Sequence, residues 1–485
     1  MTTAPIADSE PKDRNNDLDA NSDSAALKEP PSTVPAGAKK SRAAGRWKLL
    51  RAAILNEKAA VAEHSMHLFQ GYGLLQDDAV PLAKEGSDRL VERLLRVPSS
   101  VTSTLTTEEL STLLVTRCQA LTALQTNSTS LDFTTAVTFS EMQLLDTNAL
   151  VQRLSVACQW KTASCQWIAN EDTATNDDAT TTTILRITFH PVTAQQYAVL
   201  QYTVPRPPSP DAPAAAAVAV TLFVRERVHR NLSLQEMVSQ VHTAGIDNTG
   251  NVCVWDASKT LAWAVHRDVK NNNNVQTVTE LGAGMVGLAG LSLAAWCRDN
   301  SSSSKLQQLY VTDGHAAAVQ NNRVHVSLLR AADLLPVDCQ VQCCTLKWSI
   351  DNNDENNSML PPPSDWTLVA DCTHFEEYHA ALFWTLCRCT AVSGTAWLCQ
   401  PDRAGTLQRF LNLVAAVNTK NDDPLPLWHA QERCYEVLQS KHEHFLRHST
   451  AYNPNLHRPH IFVLEKLRPQ RETDRLAALA HVQER

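Results

Sequence analysis

From Leu232 onward, short apolar runs recur with amphipathic stretches between them, the pattern of a parallel sheet wrapped by helices. Seven strands are predicted, at Thr277–Leu281, Gln308–Thr312, Val341–Leu346, Trp366–Ala370, Thr395–Cys399, Leu425–Gln431 and Ile461–Leu467. Polar runs at Asn271–Asn274, Ser301–Ser304 and Asp351–Asn357 fall between elements, where extra length costs little. Before Leu232 the pattern changes. Alternating segments at Ile184–Phe189, Tyr197–Val204 and Val218–Val228 read as strands, set among Ser/Thr-rich and Pro-rich stretches. Met1 to Gly45 has few large apolar residues and is expected to be disordered. Trp47, Leu50 and Ile54 can share one helical face just after it. The expected organisation is a tail over 1–45, a smaller, partly β domain over 46–245, an α/β domain over 246–470 and a charged, peripheral C-terminal tail over 471–485.

Composition narrows the function classes. The formal charge of −8 argues against nonspecific nucleic-acid binding, which needs a basic face. Thirteen cysteines are scattered without a C-x-x-C pair, so buried reduced thiols in a cytoplasmic protein, or one also nuclear, are expected rather than a zinc site. The acidic, polar start lacks the apolar core of a signal peptide. The runs Ala212–Val224 and Ala283–Cys297 fall short of the roughly 20 residues a bilayer span needs. The expected protein is soluble, monomeric and free of membrane or nucleic-acid partners.

Candidate chemistry gathers at predicted strand ends. Val278 to Leu291 reads strand, glycine turn, helix, with Glu280 two residues ahead of Gly282 and Gly284. Glycines there let the backbone turn tightly and approach a ligand, although a plain strand-to-helix turn in a core reads the same way. Asp313 follows the second strand, where an acid hydrogen-bonds a ribose diol or caps the next helix. Trp348 follows the third, placed either to stack on an adenine or to close the core. Asp371 ends the fourth. His442, His444 and His448 lack the spacing of a zinc helix, so no metal site is expected, and with Lys441, Arg447, Arg458 and Lys466 they read as a basic face suited to an acidic partner.

A dinucleotide dehydrogenase would place glycines and acids similarly, but the glycine turn lies deep in the chain and Glu280 precedes it. Glu280-Leu-Gly-Ala-Gly284 resembles motif I of the class I, seven-stranded S-adenosylmethionine methyltransferases, and Arg458–Leu467 suits their inserted antiparallel last strand. After the fourth strand stands Asp371-Cys-Thr-His374, unlike the Asn/Asp-Pro-Pro-Tyr of nucleic-acid and glutamine amino-methyltransferases. The chain is more similar to the protein-lysine methyltransferases, and within them to the calmodulin-lysine N-methyltransferases. Five further stretches carry that likeness: Asp247–Trp255, Val311–His315, Leu346–Trp348, Pro401–Phe410 and Arg46–Leu50. It spans about 217–468 and a short N-terminal piece, while most of 73–216 resembles nothing recognised.

The resemblance implies a doubly wound Rossmann-like α/β fold with S-adenosyl-L-methionine as cofactor. It places cofactor contacts at Trp255, Glu280, Gly282, Ala283, Gly284, Asp313, Trp348 and Ala370, and Asp371 at the methyl-transfer pocket. It implies calmodulin as protein substrate. Another protein, such as an elongation factor or chaperone, remains an alternative, as does an inactive interaction module. Where His374 stands, related enzymes often carry an aromatic residue.

Overall fold

The computed structural model describes residues 253–483, apart from 270–273, 300–305, 352–359 and 421–423. Before these it describes 72, 74–81, 83–95, 106–124, 131–137, 149–153, 160–169, 183–191, 197–205 and 219–227. The expected tail, the Arg46–Ile54 helix and residues 247–252 lie outside the described residues. Lys58–Arg485 form one compact unit.

The earlier residues contribute two small antiparallel sheets. Strands β1 (Gln76–Pro81), β2 (Leu131–Val137), β3 (Trp160–Ala169), β4 (Thr183–Pro191), β5 (Tyr197–Pro205) and β6 (Ala219–Arg227) pair in the orders β1-β5-β6 and β2-β4-β3. Helices α1 (Lys84–Leu95) and α2 (Thr107–Leu124) lie among them in the chain. Alternation in β5 and β6 has a clear cause, because one face of that sheet is buried in the core and the other is only partly covered. Tyr202, Val204, Val220, Leu222 and Val224 join the main apolar core. On the opposite face Val199 meets Leu110, Leu114 and Leu121 of α2 in a second cluster.

The central sheet follows. Its elements are α3 (Asp256–Val269), β7 (Thr277–Leu281), α4 (Leu288–Asp299), β8 (Gln308–Asp313), α5 (Ala316–Ala331), β9 (Gln340–Thr345), β10 (Ser364–Ala370), α6 (His379–Cys389), β11 (Thr390–Gln400), α7 (Thr406–Lys420), β12 (Trp428–Glu432), α8 (Glu436–His448), α9 (Pro454–His457), β13 (His460–Lys466) and α10 (Glu472–Gln483). The strand order is β12-β13-β11-β10-β7-β8-β9. Every neighbouring pair is parallel except the two made by β13, which is inserted antiparallel between β11 and β12. The expected seven strands and the expected antiparallel insertion are therefore present. This is the doubly wound topology of the class I methyltransferases.

Register brings the functional ends together. Leu281 pairs with Thr312 and Val369, and Asp313 pairs with Thr345, so β7, β8, β9 and β10 finish along one edge. The order reverses between β7 and β10, the place where such sheets open a crevice for a ligand. Leu261, Val265, Leu288 and Leu293 of α3 and α4 share one core with the β5–β6 face, so residues before and after position 245 pack together.

Lys466 of the expected basic face turns inward, as does Arg468 just after it. Lys466 is 3% exposed, and its ammonium donates to the carbonyls of Cys387 and Thr390, the latter at 2.8 Å. Arg468 makes a bidentate pair with Asp474, both bonds 2.8 Å, which fastens α10 against α6 and α7 through Ala477 and Ala478. Lys466 therefore does not belong to a solvated basic face. Its charge is spent on carbonyls left unpaired at the α6–β11 junction, where an uncompensated ammonium would be costly. His442 also turns inward and bonds the Tyr452 hydroxyl at 2.7 Å.

Candidate active site

The loop after β7 is built around glycine. Gly282 and Gly284 have φ values of +63° and +61°, a region that L side chains avoid. A Cβ on Gly282 would stand 2.6 Å from Cys372 Sγ and 3.0 Å from the Trp348 ring. Gly287 and Gly290 serve a different end: a Cβ there would strike Val311 at 2.5 Å or Leu309 at 2.9 Å, so these residues let α4 press onto β8.

Asp313 holds the loop in place. One carboxylate oxygen accepts the Gly284 N–H at 2.8 Å and the other accepts the His315 N–H at 2.8 Å. The loop is braced from beneath by α5. Asn322 accepts the Gly287 N–H at 2.7 Å and donates to the Gly284 carbonyl at 2.9 Å. Its neighbour Asn321 donates to the Met285 carbonyl at 2.8 Å and to the Arg225 carbonyl at the end of β6 at 3.0 Å. His325, one turn on, is fully buried, and burial pushes its imidazole down to about 3, so it stays neutral.

Above this loop lies an open cleft at the carboxyl edge of the sheet. Trp255, Gly282, Ala283, Gly284, Asp313, Trp348, Ala370 and Asp371 all line it. Of the expected site residues only Glu280 stays outside. It is 2% exposed, and its carboxylate accepts the Gly290 N–H at 2.8 Å inside the β7–α4 junction. The reason is strand parity, since a side chain two residues before the glycine turn points into the sheet face and not over its end. Trp348 meets both of its sequence readings, because it lines the cleft and packs on the core cluster of Phe383 and Leu386.

Burial pushes the Glu280 carboxyl up to about 8, against the Gly290 and Ala289 amides, which pull it down. The folded state thus keeps a proton that the unfolded chain releases near 4.5. Stability drawn from this group is complete below that value and is lost as pH rises toward about 8. Glu280→Gln is expected to flatten the fall of the thermal unfolding midpoint across that window. Parallel curves for variant and parent would mean that the buried carboxyl is charged in the fold.

The far wall of the cleft comes from the segments after β10 and β11. Asp371 adopts φ +54°, and its Oδ2 pairs with Arg403. The Arg403 guanidinium sits 4.9 Å over the Trp255 ring. His374 lies 4.7 Å from Phe375 at an interplanar angle of 62°, and Phe375 meets Tyr378 edge-on at 6.2 Å. The aromatic wall is therefore continued by Phe375 and Tyr378 beside His374.

Sequence reasoning missed Arg403, Phe375, Tyr378 and the Asn321–Asn322 brace. The aromatic pair had a signal, since both residues follow Asp371 within seven positions. Asn322 also had one: it falls between Ala318 and His325 on the buried side of α5, and a polar group there must find partners. Among the described residues no group of three or more His, Cys, Asp or Glu could hold a metal ion, and no helix is long and apolar enough to cross a membrane.

The cleft suits S-adenosylmethionine. A Cβ on Gly282 would collide with Cys372 and Trp348, the Asp313 carboxylate lines the cleft, and Trp255 and Trp348 give apolar walls. The lysine methyltransferase family model matches residues 235–417, which include the glycine loop, Asp313, Trp348, Asp371 and Arg403. The calmodulin-lysine N-methyltransferase of Arabidopsis thaliana is 24% identical over 250 residues, covering 50% of this chain and 72% of that protein. Among solved structures, a putative class I S-adenosylmethionine-dependent methyltransferase of Listeria monocytogenes is similar at 13% identity and a TM-score of 0.29, covering 49% of this chain and 69% of its own. A ribosomal RNA guanine methyltransferase of T. thermophilus is similar at 11% identity and a TM-score of 0.29, covering 72% and 69%. Residues 235–417 thus resemble a lysine methyltransferase domain.

Proposed function

We propose that this S-adenosylmethionine-dependent lysine methyltransferase modifies a lysine side chain of calmodulin, in the cytoplasm or nucleus. The observation that carries the site assignment is the shared cleft, with the glycine loop and Asp313 at one end and Asp371 beside an aromatic wall at the other. Bound S-adenosylmethionine supplies a methyl group on a sulfonium, open to in-line displacement by a nitrogen lone pair. The chain's own task is then positioning, because such a step needs donor and acceptor aligned near contact. Asp313 and the glycine loop hold the cofactor, and Trp255 and Trp348 wall its apolar parts. Phe375 and Tyr378 exclude water from the incoming lysine, which favours its uncharged amine. Asp371 carries one oxygen on Arg403, leaving Oδ1 to accept an amine N–H and aim the lone pair.

Calmodulin as the substrate rests on the Arabidopsis relative and on charge. Calmodulin is acidic and this chain carries −8, so the two must meet through a local basic patch. With Lys466 turned inward, the described candidates are Lys441, Arg447 and Arg458, Arg447 being shared with Glu443 at 3.2 Å. Arg46, Lys48 and Arg51 are the others. Purified chain, tritiated cofactor and calmodulin should give label on lysine. Its rate should fall steeply with salt, as the screening length shrinks from about 10 Å at 0.1 M to about 3 Å at 1 M. Strong label on another lysate protein, with none on calmodulin, would replace the substrate and leave the methyltransferase standing.

A further inference from the structure

We propose that Arg403 sets the charge that the cleft presents to the incoming amine: by pairing with Asp371 it cancels the carboxylate's pull on an ammonium while leaving an oxygen to accept from the neutral amine. The inference rests on the lysine-methyltransferase reading above. An isolated carboxylate beside the acceptor would orient the amine but would also keep it protonated, and a protonated amine has no lone pair to transfer to. An opposite charge within about 4–6 Å typically favours the charged form by about 1–3 pKa units. A fixed guanidinium on that carboxylate removes the conflict.

The geometry fits a fixed pair rather than a surface one. The side chains of Arg403 and Asp371 are only 14% and 9% exposed. Arg403 is also stacked over Trp255, whose ring lines the same cleft. Its loop is held in an unusual conformation, with Ala404 and Gly405 at φ +52° and +80°. Arg409 on α7 secures that turn by donating to the Ala404 carbonyl at 2.9 Å while pairing with Glu376 at 2.6 Å. Two ion pairs therefore tie the segment after β10 to the segment after β11, and Arg403 cannot easily swing away.

The surrounding charged and titratable groups are consistent with this role. From α9, His457 is 6% exposed, and its Nδ1 accepts the Asn453 N–H at 2.9 Å. Burial first, and the Arg403 charge second, push it down to about 4, so it adds no charge at neutral pH. From β11, the Cys399 thiol is pushed well up by burial and then by Asp371, and remains neutral. Glu376 is already engaged by Arg409, and Asp313 by the glycine loop. His374, Cys372 and Tyr378 complete this side of the cleft, with Lys347 across it beside Trp348.

Binding calorimetry on the full chain tests the idea without a protein substrate. The probes are S-adenosylhomocysteine and sinefungin, an analogue with a primary amine on the carbon that replaces the sulfonium sulfur. In Arg403→Gln the exposed Asp371 carboxylate should favour the ammonium of sinefungin, raising the affinity ratio of sinefungin to S-adenosylhomocysteine about tenfold at pH 7. Arg403→Lys keeps the positive charge and should hold the ratio near that of the parent. A ratio unchanged in Arg403→Gln, with S-adenosylhomocysteine still bound, overturns the inference alone. Loss of both ligands together makes Arg403 a structural residue and overturns it as well. A parent chain that binds neither ligand overturns the methyltransferase reading, and this inference with it.

Discussion

Asp313→Ala is expected to weaken S-adenosylmethionine binding by about 1.5–3 kcal/mol, the range for a hydrogen bond to a charged group, or roughly ten- to a hundredfold in affinity. The carboxylate has two tasks that fail together. In the proposed site it accepts from the ribose, and it already accepts the Gly284 and His315 amides, which fix the loop and the start of α5. Asp313→Asn keeps one acceptor oxygen and should fall between parent and Ala. Calorimetry on variants with unchanged far-ultraviolet circular dichroism measures the effect. Full affinity in the Ala variant would move the cofactor to another site.

Asp371→Asn should lower kcat by about a hundredfold, near the low end for loss of one preorganised polar group in an active site, while changing cofactor affinity only a few-fold. Asn is the informative replacement because it tolerates the left-handed backbone that Asp371 adopts at φ +54°. Backbone strain therefore does not confuse the result. Single-turnover rates with saturating cofactor separate the transfer step from binding. Equal rates for variant and parent would make Asp371 an anchor for Arg403 and nothing more.

Much of the fold was legible because parallel strands buried on both faces read as apolar runs. Thr277–Leu281, Gln308–Asp313 and Ser364–Ala370 differ from their sequence expectations by two residues at most. The strand ends then pointed to the cleft, since a doubly wound sheet opens a crevice where its order reverses. Residue type at a strand end was less reliable than position. Glu280 has the right chemistry but the wrong parity, and it serves the β7–α4 junction. Lys466 was misjudged for a related reason: charge in the sequence does not say whether carbonyls wait nearby to bury it.

Long-range pairings were beyond reach. Period-two alternation in β5 and β6 says that a face is covered, not that Val220 and Leu222 meet the core of the central sheet. Nor does it say that the Arg225 carbonyl will be held by Asn321, linking the end of β6 to the glycine loop. The Arg403–Asp371 pair joins residues from two separate strand ends, and no local pattern encodes it.

The most direct test of the central claim is a transfer assay read at the level of the modified amino acid. Purified chain is incubated with methyl-tritiated S-adenosylmethionine and a cell lysate, and the labelled protein is hydrolysed and its amino acids separated. The account predicts tritium in methylated lysine, abolished or strongly reduced by Asp313→Ala. Tritium in methylated arginine, glutamine or nucleotide, or no transfer by a chain that binds the cofactor, would contradict it.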